Sequence, residues 1–196
     1  MAEPSIRPFR EGDESHVYDV CVRTGQGDPA ILADVYAAPY LRFDPALAFV
    51  VDTGERVAGY ILGTADTREF VRRYRAEWLP GFVARHAVPA EVPTDAPDDG
   101  PHGVLAAGLR PERMLVPGVD EYPAHLHIDL LPELQRRGLG RMLIETLADA
   151  LRARGVRGLH LVADPSNTSA IAFYSRLGFV ALPAEPEVGA LMGMTL

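Results

Sequence analysis

Leu131-Pro132-Glu133-Leu134-Gln135-Arg136-Arg137-Gly138-Leu139-Gly140-Arg141 is the stretch on which the fold turns. Ahead of it, AHLHIDLL at 124–131 alternates with the period of two that marks a strand. Behind it, Leu139, Leu143, Leu147 and Leu151 recur every fourth residue. They predict a helix over Gly138–Arg154, closed by Gly155. A strand therefore ends, a short loop carries two arginines, and two glycines one residue apart open a helix. Glycine lets a backbone approach a ligand closely, and unpaired N–H groups at a helix start attract an anion. Arg136, Arg137 and Arg141 concentrate positive charge here in a chain of net charge −8. A pyrophosphate fits such a loop.

Other phosphate chemistries are poorer fits. A dinucleotide fingerprint requires a third glycine or alanine at 143, where Leu143 stands, and an acidic residue about 20 positions on, which is missing. A phosphate-loop lysine is excluded because all 19 basic residues are arginine, and the same absence removes Schiff-base and lysine-base chemistry. What is left of the local alternatives is a purely structural turn with its arginines in solvent.

Composition narrows the class. The 196 residues, 47% hydrophobic, suit one domain over 1–196. A surplus of acid over base argues against a nucleic-acid-coating protein. Cys21 has no partner for a disulfide, and no cysteine–histidine zinc pattern occurs. No run approaches a membrane-spanning length, and MAEPSIRPFR lacks the apolar core of a signal peptide, so the expectation is a soluble cytoplasmic protein without membrane partners.

Along the chain, Ser5–Arg10 reads as a strand, and Asp13 as the N-cap of a helix that presents Val17, Val20 and Cys21 on one face. One weakly helical stretch is predicted from Asp28 to Tyr40. Leu47–Asp52 and Arg56–Ala65 flank a Thr53-Gly54 turn as a hairpin. Arg68–Leu79 reads as an amphipathic helix with Phe70, Tyr74 and Trp78 inward, interrupted by Pro80-Gly81. A segment rich in proline, aspartate and glycine, about 89–123, is too long for an ordinary connection. It reads as a lid, a binding loop or a disordered insert, although AAGLRPERML within it argues against disorder throughout. Gly158–Ala163, Phe179–Leu182 and Ala190–Leu196 read as strands, and Asn167–Leu177 as a helix. The class is mixed α and β around one sheet.

Gln135-Arg136-Arg137-Gly138-Leu139-Gly140 resembles the Q/R-x-x-G-x-G/A acetyl-CoA signature of the GNAT acyltransferases. Asn167, Ala170, Phe173, Tyr174, Leu177, Gly178 and Phe179 match its companion N-x-x-A-x-x-F-Y-x-x-L-G-F at the right spacing. The run YPAHLHIDLLPELQRRGLGR further resembles the acetyltransferase-like C-terminal domain of O-GlcNAc hydrolases and its bacterial stand-alone relatives. The resemblance implies a twisted, mostly antiparallel α/β (α+β) sheet of six or seven strands flanked by helices, splayed between the fourth and fifth, Ala124–Leu131 and Gly158–Ala163. It also implies acetyl-CoA as co-substrate. The pantetheine would pair with backbone near Leu130 and Leu131, and the pyrophosphate would lie on the N–H groups of Arg136, Arg137, Gly138, Leu139, Gly140 and Arg141. Phe173 would complete the coenzyme site, with Asn167 either a coenzyme contact or a helix cap.

The implied chemistry is transfer of an acetyl group to an amine by direct attack in a ternary complex, with no covalent nucleophile. Tyr174 sits where the family often places a donor to the coenzyme sulfur. For the base, His125, His127 and Asp129 share one strand face, opposite Leu126, Ile128 and Leu130. Asp129 and His127 are the candidates, against the alternative of a satisfied polar network. The same residue types bind metals, yet one strand spaces alternate Cα atoms roughly 7 Å apart, so no metal is expected. A main-chain N–H near Leu130 or Leu131 would hold the oxyanion. If the insert forms a lid, Asp95, Asp98, Asp99, Asp120 and Glu121 would favour a cationic acceptor, a small amine or a peptide. The rival reading is an acyl-CoA- or peptide-binding domain that has lost the chemistry. Monomer and homodimer are both compatible with the sequence.

Overall fold

A computed structural model describes residues 3–86, 88 and 102–196. Its strands are β1 (Ser5–Pro8), β2 (Ala48–Asp52), β3 (Val57–Thr64), β4 (Ala124–Leu130), β5 (Gly158–Ala163), β6 (Val180–Ala181) and β7 (Ala190–Thr195). They form one sheet in the order β1-β2-β3-β4-β5-β7-β6. Every pairing is antiparallel except β4–β5, which is parallel. That parallel seam has two rungs, Ala124↔Leu159 and His125↔His160, after which the strands part. This is the splayed mixed sheet that the resemblance implies.

The helices are α1 (Glu14–Thr24), α2 (Pro29–Tyr36), α3 (Ala38–Phe43), α4 (Thr67–Arg73), α5 (Leu79–Arg85), α6 (Gly103–Leu109), α7 (Leu139–Arg152) and α8 (Thr168–Arg176). Helix α7 buries its leucine stripe, Leu139, Leu143, Leu147 and Leu151. Each such side chain contributes roughly 1.5–3 kcal/mol when fully buried. Gly63 of β3 leaves room for Leu147, so α7 covers that face, while α1 and α3 cover the other, toward which Tyr60 points. Strand β3 is buried along its whole length because helices cover both faces.

Four local readings are corrected. Asp13 makes no side-chain cap, because its carboxylate accepts instead from the Arg7 guanidinium at 2.7 and 2.9 Å and from the Arg10 N–H at 2.8 Å. A charge-assisted fork outcompetes a neutral helix N–H. The stretch from Asp28 divides into α2 and α3 at Ala37, since the Pro39 ring would clash with the carbonyl of Val35 in a continuous helix. Pro80-Gly81 does not end the helical run: a π-turn at Tyr74–Trp78 leads into α5, where Pro80 sits in the first turn and needs no N–H partner. Finally, residues 102–123 are not a structureless connection. They hold α6, whose Val104, Leu105, Ala106 and Ala107 are buried, and a short 3-10 turn at Pro111–Met114. The remainder of the expected insert, 89–101, lies outside the described residues.

Candidate active site

The loop after β4 is built from tight turns. Pro132–Leu134 forms a 3-10 turn, then Arg136 (φ 59°) and Gly138 (φ 81°) both enter the left-handed region. Arg136 is the non-glycine residue with positive φ among those described. Left-handed residues alternating with right-handed ones turn successive N–H groups to one side, the concave arrangement that binds anions. Among the described residues, no N–H from 136 to 141 donates to a protein acceptor, and Gly138 gives α7 no side-chain cap. Arg136, Arg137 and Arg141 are exposed beside this arc. Arg141 approaches Glu145 at 3.8 Å, and neither Arg136 nor Arg137 has an ion-pair partner among the described residues. Six free donors, a helix N-terminus and unpaired guanidinium groups suit a diphosphate.

The strand that feeds the loop has backbone to spare. Leu131 N–H donates to Ala58 O at 3.1 Å, and Leu131 O accepts from Leu134 N–H, so both of its groups are occupied. In an antiparallel ladder the bonded pairs alternate. With 131 paired to 58, and the register Asp129↔Tyr60 and Leu130↔Gly59, Ile128 and Leu130 turn their backbone groups away from β3 and into the splay. The Leu130 carbonyl accepts from Gln135 Nε2 at 3.0 Å. Of the two amides expected to face the thioester, Leu130's is the one left for it.

The polar face of β4 is a layered network. His125 is buried, its Nε2 2.6 Å from Tyr40 Oη and its Nδ1 2.7 Å from Thr67 Oγ1. The Thr67 hydroxyl gives its proton to Pro123 O at 2.8 Å, so Nδ1–H donates to Thr67 and Nε2 accepts from Tyr40. His127 packs edge-on against the Tyr36 and Tyr40 rings. Burial, assisted by the Arg113 charge, lowers it to about 3, so it is a neutral imidazole and a weak base. His160, behind them, donates from Nδ1 to Tyr122 O at 2.7 Å. Asp129 differs in kind: burial raises its carboxyl from the ordinary aspartate value, and its Oδ2 accepts from Tyr60 Oη at 2.6 Å. Among the described residues, no group of three His, Cys, Asp or Glu side chains is arranged to hold a metal.

Helix α8 brings the second motif to the same place. Asn167 caps it, its Oδ1 accepting from Ala170 N–H at 3.0 Å. Phe173 reaches across to Gly140 at the start of α7. Tyr174 rests edge-on against Phe179, and its phenol is pushed up to about 12 by burial and then by the nearby Asp129 charge. The adjacent aromatics pack edge-on against each other, with Phe173 also touching the loop at Gly140 and Tyr174 near Asp129. Tyr60, Tyr40 and Thr67 are the site residues that local sequence patterns leave unmarked. Only the β3–β4 register brings Tyr60 to Asp129, and only the fold brings Tyr40 and Thr67 to His125.

Comparison with known proteins agrees with this geometry. The model of the acetyltransferase (GNAT) family matches residues 18–179. Protein O-GlcNAcase of Rattus norvegicus is 22% identical over 205 residues, covering 98% of this chain, which spans only 22% of that protein's length. The [ribosomal protein bS18]-alanine N-acetyltransferase of Salmonella typhimurium is 58% identical over 48 residues, 24% of this chain and 32% of its own. Among solved structures, SsHAT superimposes with a TM-score of 0.88 at 46% identity over 98% of both chains. The Salmonella typhimurium protein yncA, solved with its cofactor acetyl-CoA, shares the fold with a TM-score of 0.58 at 16% identity over 98% of this chain and 94% of its own. With a free-amide loop closing a split sheet and a family model spanning both motifs, the chain belongs to the GNAT family of acetyltransferases.

Proposed function

We propose that this chain moves an acetyl group from acetyl-CoA to an amine by direct attack in a ternary complex. The observation that carries the reading is the continuity of the β4–β5 split with the donor arc at 136–141. A long ligand with a diphosphate at one end and amides along its length meets matching groups in that order. The N–H groups of 136–141, with Arg136, Arg137 and Arg141, would hold the diphosphate, and the Ile128 backbone, with the second lone pair of the Leu130 carbonyl, would pair with the amide arm. Phe173 would close over the loop, beside the helix that Asn167 caps.

Three demands of the chemistry find groups here. The Leu130 N–H, facing the splay, would donate to the carbonyl oxygen as it gains charge. As the amine nitrogen bonds to the acetyl carbon, Asp129 would take the proton that the nitrogen loses. As the carbon–sulfur bond breaks, the protonated Tyr174 would donate to the sulfur. Proton exchange with solvent then restores both side chains. Asp129 is preferred to His127 because the imidazole is held neutral with very low basicity. Cys21, raised to about 11 by burial, stays a thiol and forms no acyl intermediate.

The name of the Salmonella typhimurium relative specifies a protein alanine as acceptor. The test therefore offers acetyl-CoA with a panel of amines: an alanine-leading peptide, a polyamine and an aromatic amine. Thiol release is followed, and binding by calorimetry. Acceptor-dependent release supports the enzyme, whereas binding without any turnover assigns a carrier or sensor role. No binding at millimolar acetyl-CoA overturns the reading altogether.

A further inference from the structure

Asp129 stands directly opposite Tyr60 in the β3–β4 register, so the backbone itself fixes their separation. Tyr60 is 0% exposed, and its hydroxyl lies 2.6 Å from Asp129 Oδ2. Thr24 of α1 lies beside the same carboxylate, yet its hydroxyl proton goes to Val20 O at 2.8 Å. Cys21, one turn earlier, rests against the Tyr60 hydroxyl from the other side. Among the described residues, Tyr60 makes the short hydrogen bond to Asp129, on Oδ2, and Thr24 is a weaker second neighbour of the same carboxylate. Phenylalanine would fill the same volume in the core, and what tyrosine adds is one donor, aimed at one oxygen.

We propose that Tyr60 is a positioning residue for acetyl transfer: its hydroxyl pins Oδ2 of Asp129 and leaves Oδ1 as the atom that receives the amine proton. The proposal rests on the reading of Asp129 as base. A carboxylate with one oxygen fixed by a short hydrogen bond presents the other in one direction, which is what a proton acceptor needs when the amine arrives in a fixed line of attack. Removing the donor frees the side chain to rotate and leaves a buried carboxylate with only the weaker Thr24 neighbour to compensate it. The titratable groups facing Asp129 are Tyr60 from β3, Cys21 from α1, Tyr174 from α8 and His127 along its own strand. Cys21 and His127 stay neutral through the working range, and Tyr174 stays protonated.

The experiment follows the Asp129 carboxyl by 13C NMR, its signal assigned by its loss in Asp129→Asn. Transfer is measured in parallel with whichever panel amine the parent protein accepts. Tyr60→Phe should raise the carboxyl's titration midpoint by about one pH unit and carry the acid limb of kcat/KM with it. It should also lower kcat about tenfold while the KM for acetyl-CoA holds. Replacing Tyr60 by 3-fluorotyrosine, a stronger donor of nearly the same shape, should move the midpoint downward, and it serves if Tyr60→Phe unfolds. A midpoint that stays put in both variants overturns the role of Tyr60. An Asp129→Asn protein with full transfer rate overturns the base reading itself, whatever Tyr60→Phe does, so the two failures are told apart.

Discussion

Gly140 and Phe173 meet at the junction of the two sequence motifs: a methyl group at 140 would stand 3.1 Å from the tip of the Phe173 ring. Each residue belongs to a different signature, 33 positions apart in the chain's numbering. Their contact ties the start of α7 to α8 and so sets the width of the groove above the loop.

A side chain at 140 must therefore displace Phe173 or the loop. Gly140→Val should weaken acetyl-CoA binding at least tenfold, about 1.4 kcal/mol or more, measured by calorimetry. Thermal stability without ligand should change little, because residue 140 is only half-buried. Parent-like affinity would show that Phe173 does not form the roof of the site.

Tyr174 carries the next expectation. With its phenol pushed up to about 12, the hydroxyl keeps its proton at neutral pH and serves as donor. Tyr174→Phe should reduce kcat by about ten- to a hundredfold and leave the acetyl-CoA dissociation constant unchanged. Turnover equal to the parent's would remove Tyr174 from the chemistry.

Histidines make the fold acid-sensitive. His125, His127 and His160 all lie below the ordinary imidazole value, with burial the first cause in each. The unfolded chain takes up protons below about pH 6.5 while the native protein does not, so stability is full above that pH and is lost as pH falls. Each such histidine costs up to about 1.4 kcal/mol per pH unit in that range. Asp129, raised by burial, opposes this, since its protonation favours the folded form, but it is one group against three. Urea midpoints should drop steeply between pH 7 and pH 5, less so in His125→Gln if that protein folds. A flat profile would contradict the buried network.

Helix α6 offers a packing test. A Cβ on Gly108 would run into the ring of Phe82, which is fully buried. Gly108→Val should destabilise by about 1–3 kcal/mol, read as a lower melting temperature. An unchanged melting temperature would mean that α6 is not docked on α5.

The parts of the site visible in the sequence are those whose cause is local. Two glycines and three arginines at a strand-to-helix junction signal an anion loop on their own, and the leucine period of α7 needs no tertiary information. Asn167 reads as a coenzyme contact or a helix cap, and of these the structure shows the cap, its Oδ1 accepting from Ala170 N–H. What stayed hidden depends on partners distant in the chain. Asp13 has the residue type and place of a cap, but Arg7 holds it together with Asp52 on the neighbouring strand. Whether Leu130 or Leu131 offers its amide depends on the β3 register, which no single strand reveals. The proline-rich composition before β4 concealed α6, because its alanines and glycines look like loop until α2 and α5 are known to pack on them.

The two-rung seam divides the sheet into a block of four strands and a block of three. Such blocks are held at one end and gape at the other, like a book opened from its spine. A guest whose amides bond to both open pages splints them, so filling the gap should rigidify β5 and β7 well beyond the residues it touches. Slowed amide exchange along those two strands would then report occupancy from a distance.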